Sequence, residues 1–384
     1  MVCLTMQAFT VGSPVFGKAF HDRVKEIKTL LKDKQNNYVI SGPRRIGKTS
    51  LMEELALRLD KKTIPIFVDV SGICPLSEEN FLSKYLIEVT KAFDKKFDKG
   101  VSKKVVGFLS GSWTGFLDFL KTVHISYKGV LEAWFDYKQG KGEVTNIIEE
   151  TLQYPDKLAE KHNVRCVVFL DEFPLIKTLK NTQFEWALRS NMQKTKNVRY
   201  IISCSAQSLT RQMTLRKAPF YGFFLSISLF GIDAAEGEKI IKNLSKFGVN
   251  VEEDVVKEVL KRTKCHPLYL QAFALASFTY AKTNNIYNIT IKEQEECWKT
   301  MYDLLTFHFM ETESKLQGKS KAIAISIAKG DERLSEISRS LNYKMDALST
   351  YLRRMMDIGI IEKVGEGRYI HQDPLFAEWL RLKE

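Results

Sequence analysis

Residues 41–52 read SGPRRIGKTSLM. Gly42 and Gly47 bracket four residues, and Lys48 and Thr49 follow at once, the pattern GxxxxGK followed by Ser or Thr. Such a loop wraps phosphate groups with backbone N–H groups, and glycine permits the close approach. The expected phosphate cradle is Gly42, Pro43, Arg44, Arg45, Ile46, Gly47, Lys48, Thr49 and Ser50. In it Lys48 reaches the β- and γ-phosphates and Thr49 ligates Mg2+. NYVIS (37–41) is a β-branched and aromatic run, and LMEELALRL (51–59) has a helical pattern. A helix over about Thr49 to Leu59 then points its positive end at the same anions. Strand, loop and helix in this order imply an α/β fold around a parallel sheet. Arg44 and Arg45 have two readings, contact with phosphate or a neighbouring subunit, or a solvated or salt-bridged pair.

A phosphate loop needs a metal carboxylate and, for hydrolysis, a base. CVVFLDEFP (166–174) offers both. Val167 to Leu170 read as a buried parallel strand. Asp171 and Glu172 emerge at its C-terminal end, where ligands bind in open α/β sheets. Asp171 is the expected Mg2+ carboxylate and Glu172 the general base for the attacking water. Further strands read at TIPIFVDV (63–70), VRYIISCS (198–205) and FLSISLF (224–230). This suits the class with an extra strand between the two motif strands. Ser203 or Ser205 is a candidate polar sensor, with Ser205 preferred. Ala187 to Ile232 holds no acidic residue but seven Lys or Arg residues, among them Arg189, Lys194, Lys196, Arg199 and Arg211. Arg211 is the preferred candidate for a charge-stabilising arginine.

The 384 residues carry 58 Lys and Arg against 46 Asp and Glu, a formal charge of +12. That balance fits an anionic partner such as nucleic acid. The cysteines form no CxxC pair, which argues against a zinc site or disulfide framework and for a reducing cytosol. The longest apolar run, FYGFFLSISLFGI (220–232), is too short to span a bilayer, and the N-terminus has no signal-peptide pattern.

Several motifs, in order, resemble the archaeal ATPase family, related to AAA+ proteins, origin-recognition-type ATPases and STAND signalling NTPases. GPRRIGKTSL is similar to its phosphate loop, and VVFLDEFP to its metal-and-base strand. PVFGKAFHDRVKEI (14–27) resembles its entry segment, with Lys18 in place of an Arg. The resemblance implies an adenine-side role for Phe16. APFYGFF (218–224) resembles a Pro-Leu-Tyr-Gly-Arg segment, with Phe223 where the Arg is usual. KCHPLYLQ (264–271) resembles the Gly-x-Pro-Leu-Tyr-Leu lid motif, which implies that Pro267 packs near the adenine. RYIHQDPLFAEWL (368–380) resembles the Asp-Pro…Trp ending. ATP rather than GTP follows from the resemblance alone.

The expected organisation is a P-loop core over 1–232, a helical lid over 233–312 and a winged helix over 318–384. A helical insertion is expected at about 77–160, and the aromatic and lysine-rich part of it could alternatively stack on single strands or lie on a membrane surface. Asp233 and Glu236 read as a capping box. In MDALSTYLRRMMDIG (345–359), Met345, Leu348, Leu352 and Met355 are expected to face the core, leaving Thr350, Arg353 and Arg354 for duplex DNA. Two functions stay open. One is a Mg-ATPase coupled to DNA, with self-association possible. The other is a nucleotide-gated switch whose winged helix docks a protein.

Overall fold

A computed structural model describes residues 9–17, 20–97, 144–205 and 216–383. The first unit runs α1 (Val24–Lys32), β1 (Tyr38–Ser41), α2 (Lys48–Arg58), β2 (Thr63–Asp69) and α3 (Glu78–Phe97). It continues with α4 (Val144–His162), β3 (Arg165–Asp171), α5 (Thr182–Lys194), β4 (Val198–Cys204) and β5 (Leu225–Ser228). The five strands are parallel and lie in the order β2-β3-β4-β1-β5. So β4 is the extra strand, seated between the loop-bearing β1 and the carboxylate-bearing β3.

The period-2 alternation of β3 divides the core. Val167 and Phe169 face a cluster with Ile27, Leu30, Leu51, Met52 and Leu55 of α1 and α2. Cys166, Val168 and Leu170 face the other cluster, with Tyr85, Leu86 and Val89 of α3 and Leu152 of α4. Each large apolar side chain taken fully out of water contributes about 1.5–3 kcal/mol. Both α3 and α4 pack on β2 or β3, so the described ends of the 77–160 stretch are crossover helices of the core layer. Residues 98–143 lie outside the described residues.

Five helices follow: α6 (Ala234–Lys242), α7 (Glu253–Arg262), α8 (Pro267–Asn284), α9 (Ile291–Leu304) and α10 (Thr306–Glu313). The Asp233 carboxylate caps α6 by accepting the Ala235 N–H at 2.9 Å. The expected capping box does not close there, because Glu236 turns instead to Lys239 at 2.5 Å and His21 at 3.4 Å. A complete box forms at α9 between Thr290 and Glu293.

The chain ends with α11 (Lys319–Ala328), α12 (Leu334–Leu341), α13 (Met345–Asp357), an antiparallel hairpin of β6 (Ile361–Lys363) and β7 (Tyr369–His371), and α14 (Pro374–Lys383). On α13, Leu348, Leu352 and Met355 are buried, but Met345 is 48% exposed. Met345 opens the helix at the rim, one turn beyond the last residue that the other helices cover, which corrects the expectation that it faces the core. One hydrophobic cluster runs unbroken from Ile232 to Leu380.

Candidate active site

The loop between β1 and α2 holds its shape through its glycines. Gly47 has φ 99°, a left-handed conformation that glycine adopts at no steric cost, and it starts α2. A Cβ on Gly42 would meet the Leu229 carbonyl oxygen at 2.8 Å. Lys48 is buried, and its ammonium donates to the carbonyls of Gly42 at 3.1 Å and Pro43 at 2.8 Å. Burial pushes its pKa down, while Glu172 and Asp171 oppose that shift.

The ends of β3 and β4 bring the acidic side to the loop. The Thr49 hydroxyl donates to Asp171 Oδ2 at 2.7 Å, joining residues 122 positions apart. The buried Ser203 hydroxyl donates to Asp171 Oδ1 and accepts the Glu172 N–H at 3.0 Å. Glu172 Oε2 accepts from the Ser205 hydroxyl at 2.9 Å and from the Ser205 N–H at 3.2 Å. The strand next to β3 thus fixes both carboxylates. Glu172 itself has φ 50°, costing about 1–3 kcal/mol for a side-chain-bearing residue. The turn from β3 into the 3-10 helix at Phe173–Leu179 imposes it. A hydroxyl and a carboxylate in contact form the hard oxygen set that Mg2+ takes. Glu53, one turn beyond Thr49, has its carboxyl pKa raised by burial and by the charge of Asp171.

The two loop arginines are salt-bridged, the second of the two readings. Arg44 meets Glu311 of α10 at 2.5 Å and Arg45 meets it at 3.8 Å. Pro267 is the first residue of α8. Its neighbour His266 lies against the Arg44 backbone, and burial pushes its imidazole down to about 3. Phe16 is 53% exposed, while the adjoining Gly17 N–H donates to Glu54 of α2 at 2.6 Å. Arg211 lies outside the described residues. Thr350, Arg353 and Arg354 are exposed on α13, far along the chain from this cluster.

Three participants escape a reading of the sequence alone. Arg23 is buried, with its guanidinium on the carbonyls of Ile46 in the loop and Phe230 beyond β5. It lies in the 14–27 segment, but a lone arginine before a helix carries no apolar signal. Glu311 and His266 gain their roles only through long-range contacts.

The profile of an ATPase domain found predominantly in Archaea matches residues 20–273. An uncharacterized protein of Methanocaldococcus jannaschii is 24% identical over 94% of this chain and 68% of its own length. In three dimensions the chain is similar to the Walker-type ATPase of Pyrococcus abyssi. The TM-score is 0.68 at 16% identity, over 97% of this chain and 99% of that one. It is also similar to the ORC2 protein of Aeropyrum pernix, solved as ADPNP and ADP complexes. That TM-score is 0.59 at 12% identity, over 98% and 96% of the two chains. At such identities the likeness is one of fold.

Proposed function

The chain belongs to the archaeal ATPase family, whose domain binds and hydrolyses ATP, and from that premise we propose that residues 42–50 hold Mg-ATP while Glu172 activates water. The observation that carries this reading is the contact of Thr49 with Asp171 at 2.7 Å. It joins the loop to the carboxylate strand at one oxygen pair. When bound, Mg2+ supplies charge that offsets the phosphate oxygens. Thr49 and Asp171 hold it, and Lys48 faces the phosphates from the loop. Glu172 orients the water and takes its proton, with Ser205 fixing the carboxylate and Ser203 the backbone behind it. Phe16 and Pro267 flank the base, and Arg211 is the candidate charge-stabilising residue.

The proposed division is a core over 1–232, a lid over 233–312 and a winged helix over 318–384, working with DNA. Its support is the exposure of Thr350, Arg353 and Arg354 on the third helix of a three-helix and hairpin unit. Steady-state ATP hydrolysis with and without duplex DNA tests it, with Glu172→Gln as the blank. Stimulation that is absent from the blank and lost in Arg353→Ala/Arg354→Ala is the expected result. Turnover that DNA leaves unchanged counts against DNA coupling, and turnover equal to the blank counts against hydrolysis.

A second reading is a nucleotide-gated switch that docks a protein. The hold of α10 on Arg44 and Arg45 favours it, because the phosphate loop is then tied directly to the C-terminal half. That reading expects tightly retained nucleotide, slow turnover and no response to DNA.

A further inference from the structure

Two adjoining clefts of about 520 and 390 Å³ open where β2, β3 and β4 begin, at the end of the sheet away from the phosphate loop. Their shared rim includes Lys34, Asp60, Thr63 and Arg165, with Lys62 beside the first cleft and Lys196 and Arg199 on the second. The Asp60 carboxylate is spent on Lys34 at 2.9 Å and on the Thr63 hydroxyl at 2.7 Å. Asp156 accepts the N–H groups of Lys196 and Asn197 at 3.1 and 2.6 Å. Asp33 accepts from Gln35, Asn36 and Tyr38. Lys62, Arg165 and Lys196 have no carboxylate at salt-bridge distance among the described residues.

A bland explanation covers part of this charge. Helices of an α/β core end where the strands begin, and cations in their last turns answer the negative ends. Lys32, Lys95, Lys96, Lys161 and Lys194 are of that kind. Lys62, Arg165 and Lys196 are not, since Lys62 and Lys196 stand in the turns that lead into strands and Arg165 is the first residue of β3. Arg199 adds a second observation. It is only 5% exposed, it donates through Nη1 to the carbonyls of Leu30, at 2.9 Å, and of Asp33, and its buried Nε lacks a hydrogen-bond partner. A buried N–H left unmade costs about 1–3 kcal/mol unless an acceptor arrives.

We propose that this cleft binds clustered phosphate oxyanions, with Lys62, Arg165 and Lys196 at the rim and Arg199 at the floor. A nucleic-acid backbone and free polyphosphate share that chemistry. The site is separate from the phosphate loop and from α13, and it does not depend on hydrolysis.

The test uses the full chain with its phosphate loop filled by a saturating non-hydrolysable ATP analogue, and two probes, a fluorescein-labelled 20-mer single strand followed by polarisation and hexametaphosphate followed by titration calorimetry. Lys62→Ala/Arg165→Ala is compared with wild type across a salt series. Loss of two phosphate contacts lowers the slope of log K against log salt by about 1.4, at ~0.7 per single-strand contact, and affinity at low salt about tenfold. Lys62→Arg/Arg165→Lys restores binding, and unchanged affinity for a fluorescent ATP analogue certifies the fold. If only the hexametaphosphate arm moves, the ligand is free polyphosphate and the cleft stands. If neither probe binds wild type, or the double alanine variant binds both with unchanged affinity and slope, the proposal is overturned.

Discussion

The Ser203 hydroxyl serves two functional groups from one oxygen, donating to Asp171 and accepting from the Glu172 backbone. It is fully buried, so water cannot replace it. Ser203→Ala leaves a carboxylate oxygen and an N–H without their partner, at about 1–3 kcal/mol. If that loss falls on the positioned carboxylates, kcat drops by about 5- to 150-fold. KM for ATP stays near wild type, because Lys48 and the loop backbone are untouched. Steady-state kinetics checks the split, and a rise in KM alone would show that Ser203 serves binding instead. Glu172→Gln keeps the shape of the side chain and its bond to Ser205 while removing the proposed base. Hydrolysis is expected to fall by about 100-fold or more, as for loss of a general base, with nucleotide affinity preserved. Retained turnover in that variant would move the base elsewhere.

At the scale of elements, α10 is the piece that joins the phosphate loop to the C-terminal half. Glu311 holds both loop arginines, and Phe309 on the same helix stacks on Trp379 of α14 at 5.6 Å. The Arg44–Glu311 pair is about half exposed, so as a stabilising contact it is worth no more than about 1 kcal/mol. If a phosphate entering the loop competes with Glu311 for the same guanidinium groups, the pair's effect on affinity is larger in proportion. Glu311→Gln should therefore tighten binding of a fluorescent ATP analogue several-fold and leave the thermal midpoint within a few degrees. Equal affinities in the two proteins would mean that the arginines do not meet phosphate. Beside this joint, burial pushes His266 down to about 3 and His308 to about 4, from 6.5. The folded chain then binds fewer protons than the unfolded chain between those values. The stability contribution is whole above about pH 6.5 and is lost as pH falls toward 4 and 3. Urea midpoints at pH 7.5 and 5 should fall more steeply in wild type than in His308→Gln, and parallel slopes would remove His308 from the account.

Over the whole molecule, legibility follows sequence distance. The phosphate loop and Asp171-Glu172 could be read because each is a short run that carries its own strand, turn and pattern. Ser203 and Ser205 were half legible, as a strand end whose two hydroxyls only the neighbouring β3 tells apart. Glu311 stands 267 residues from Arg44, and nothing local marks it. Arg23 is hidden for the same reason, since besides the neighbouring Glu26 at 3.8 Å its partners are the distant carbonyls of Ile46 and Phe230. The helices after Ile232 were readable one by one, but their periodicity does not say which of them share a core. They share a single one: the cluster from Ile232 to Leu380 includes Tyr269, Phe309, Phe376 and Trp379. Tyr269 of α8 donates to the half-buried Asp373, which also caps α14 through the N–H groups of Leu375 and Phe376. Arg262 of α7 meets Glu378 of α14 and lies over the Trp298 ring at 4.1 Å. These bonds tie α7 and α8 to α14 within that one core, so the helices from α6 onward are expected to unfold as one cooperative unit. Calorimetry on the full chain should accordingly show no separate transition for the C-terminal segment. Asp373→Ala leaves the Tyr269 hydroxyl unpaired and α14 uncapped. It should lower that common transition by about 1.5–3 kcal/mol, the sum of a lost cap and a lost half-buried bond. A low-temperature transition that appears only in Asp373→Ala, with the remainder unmoved, would instead make the C-terminal segment an independently folding module, free to swing as a rigid body when nucleotide changes.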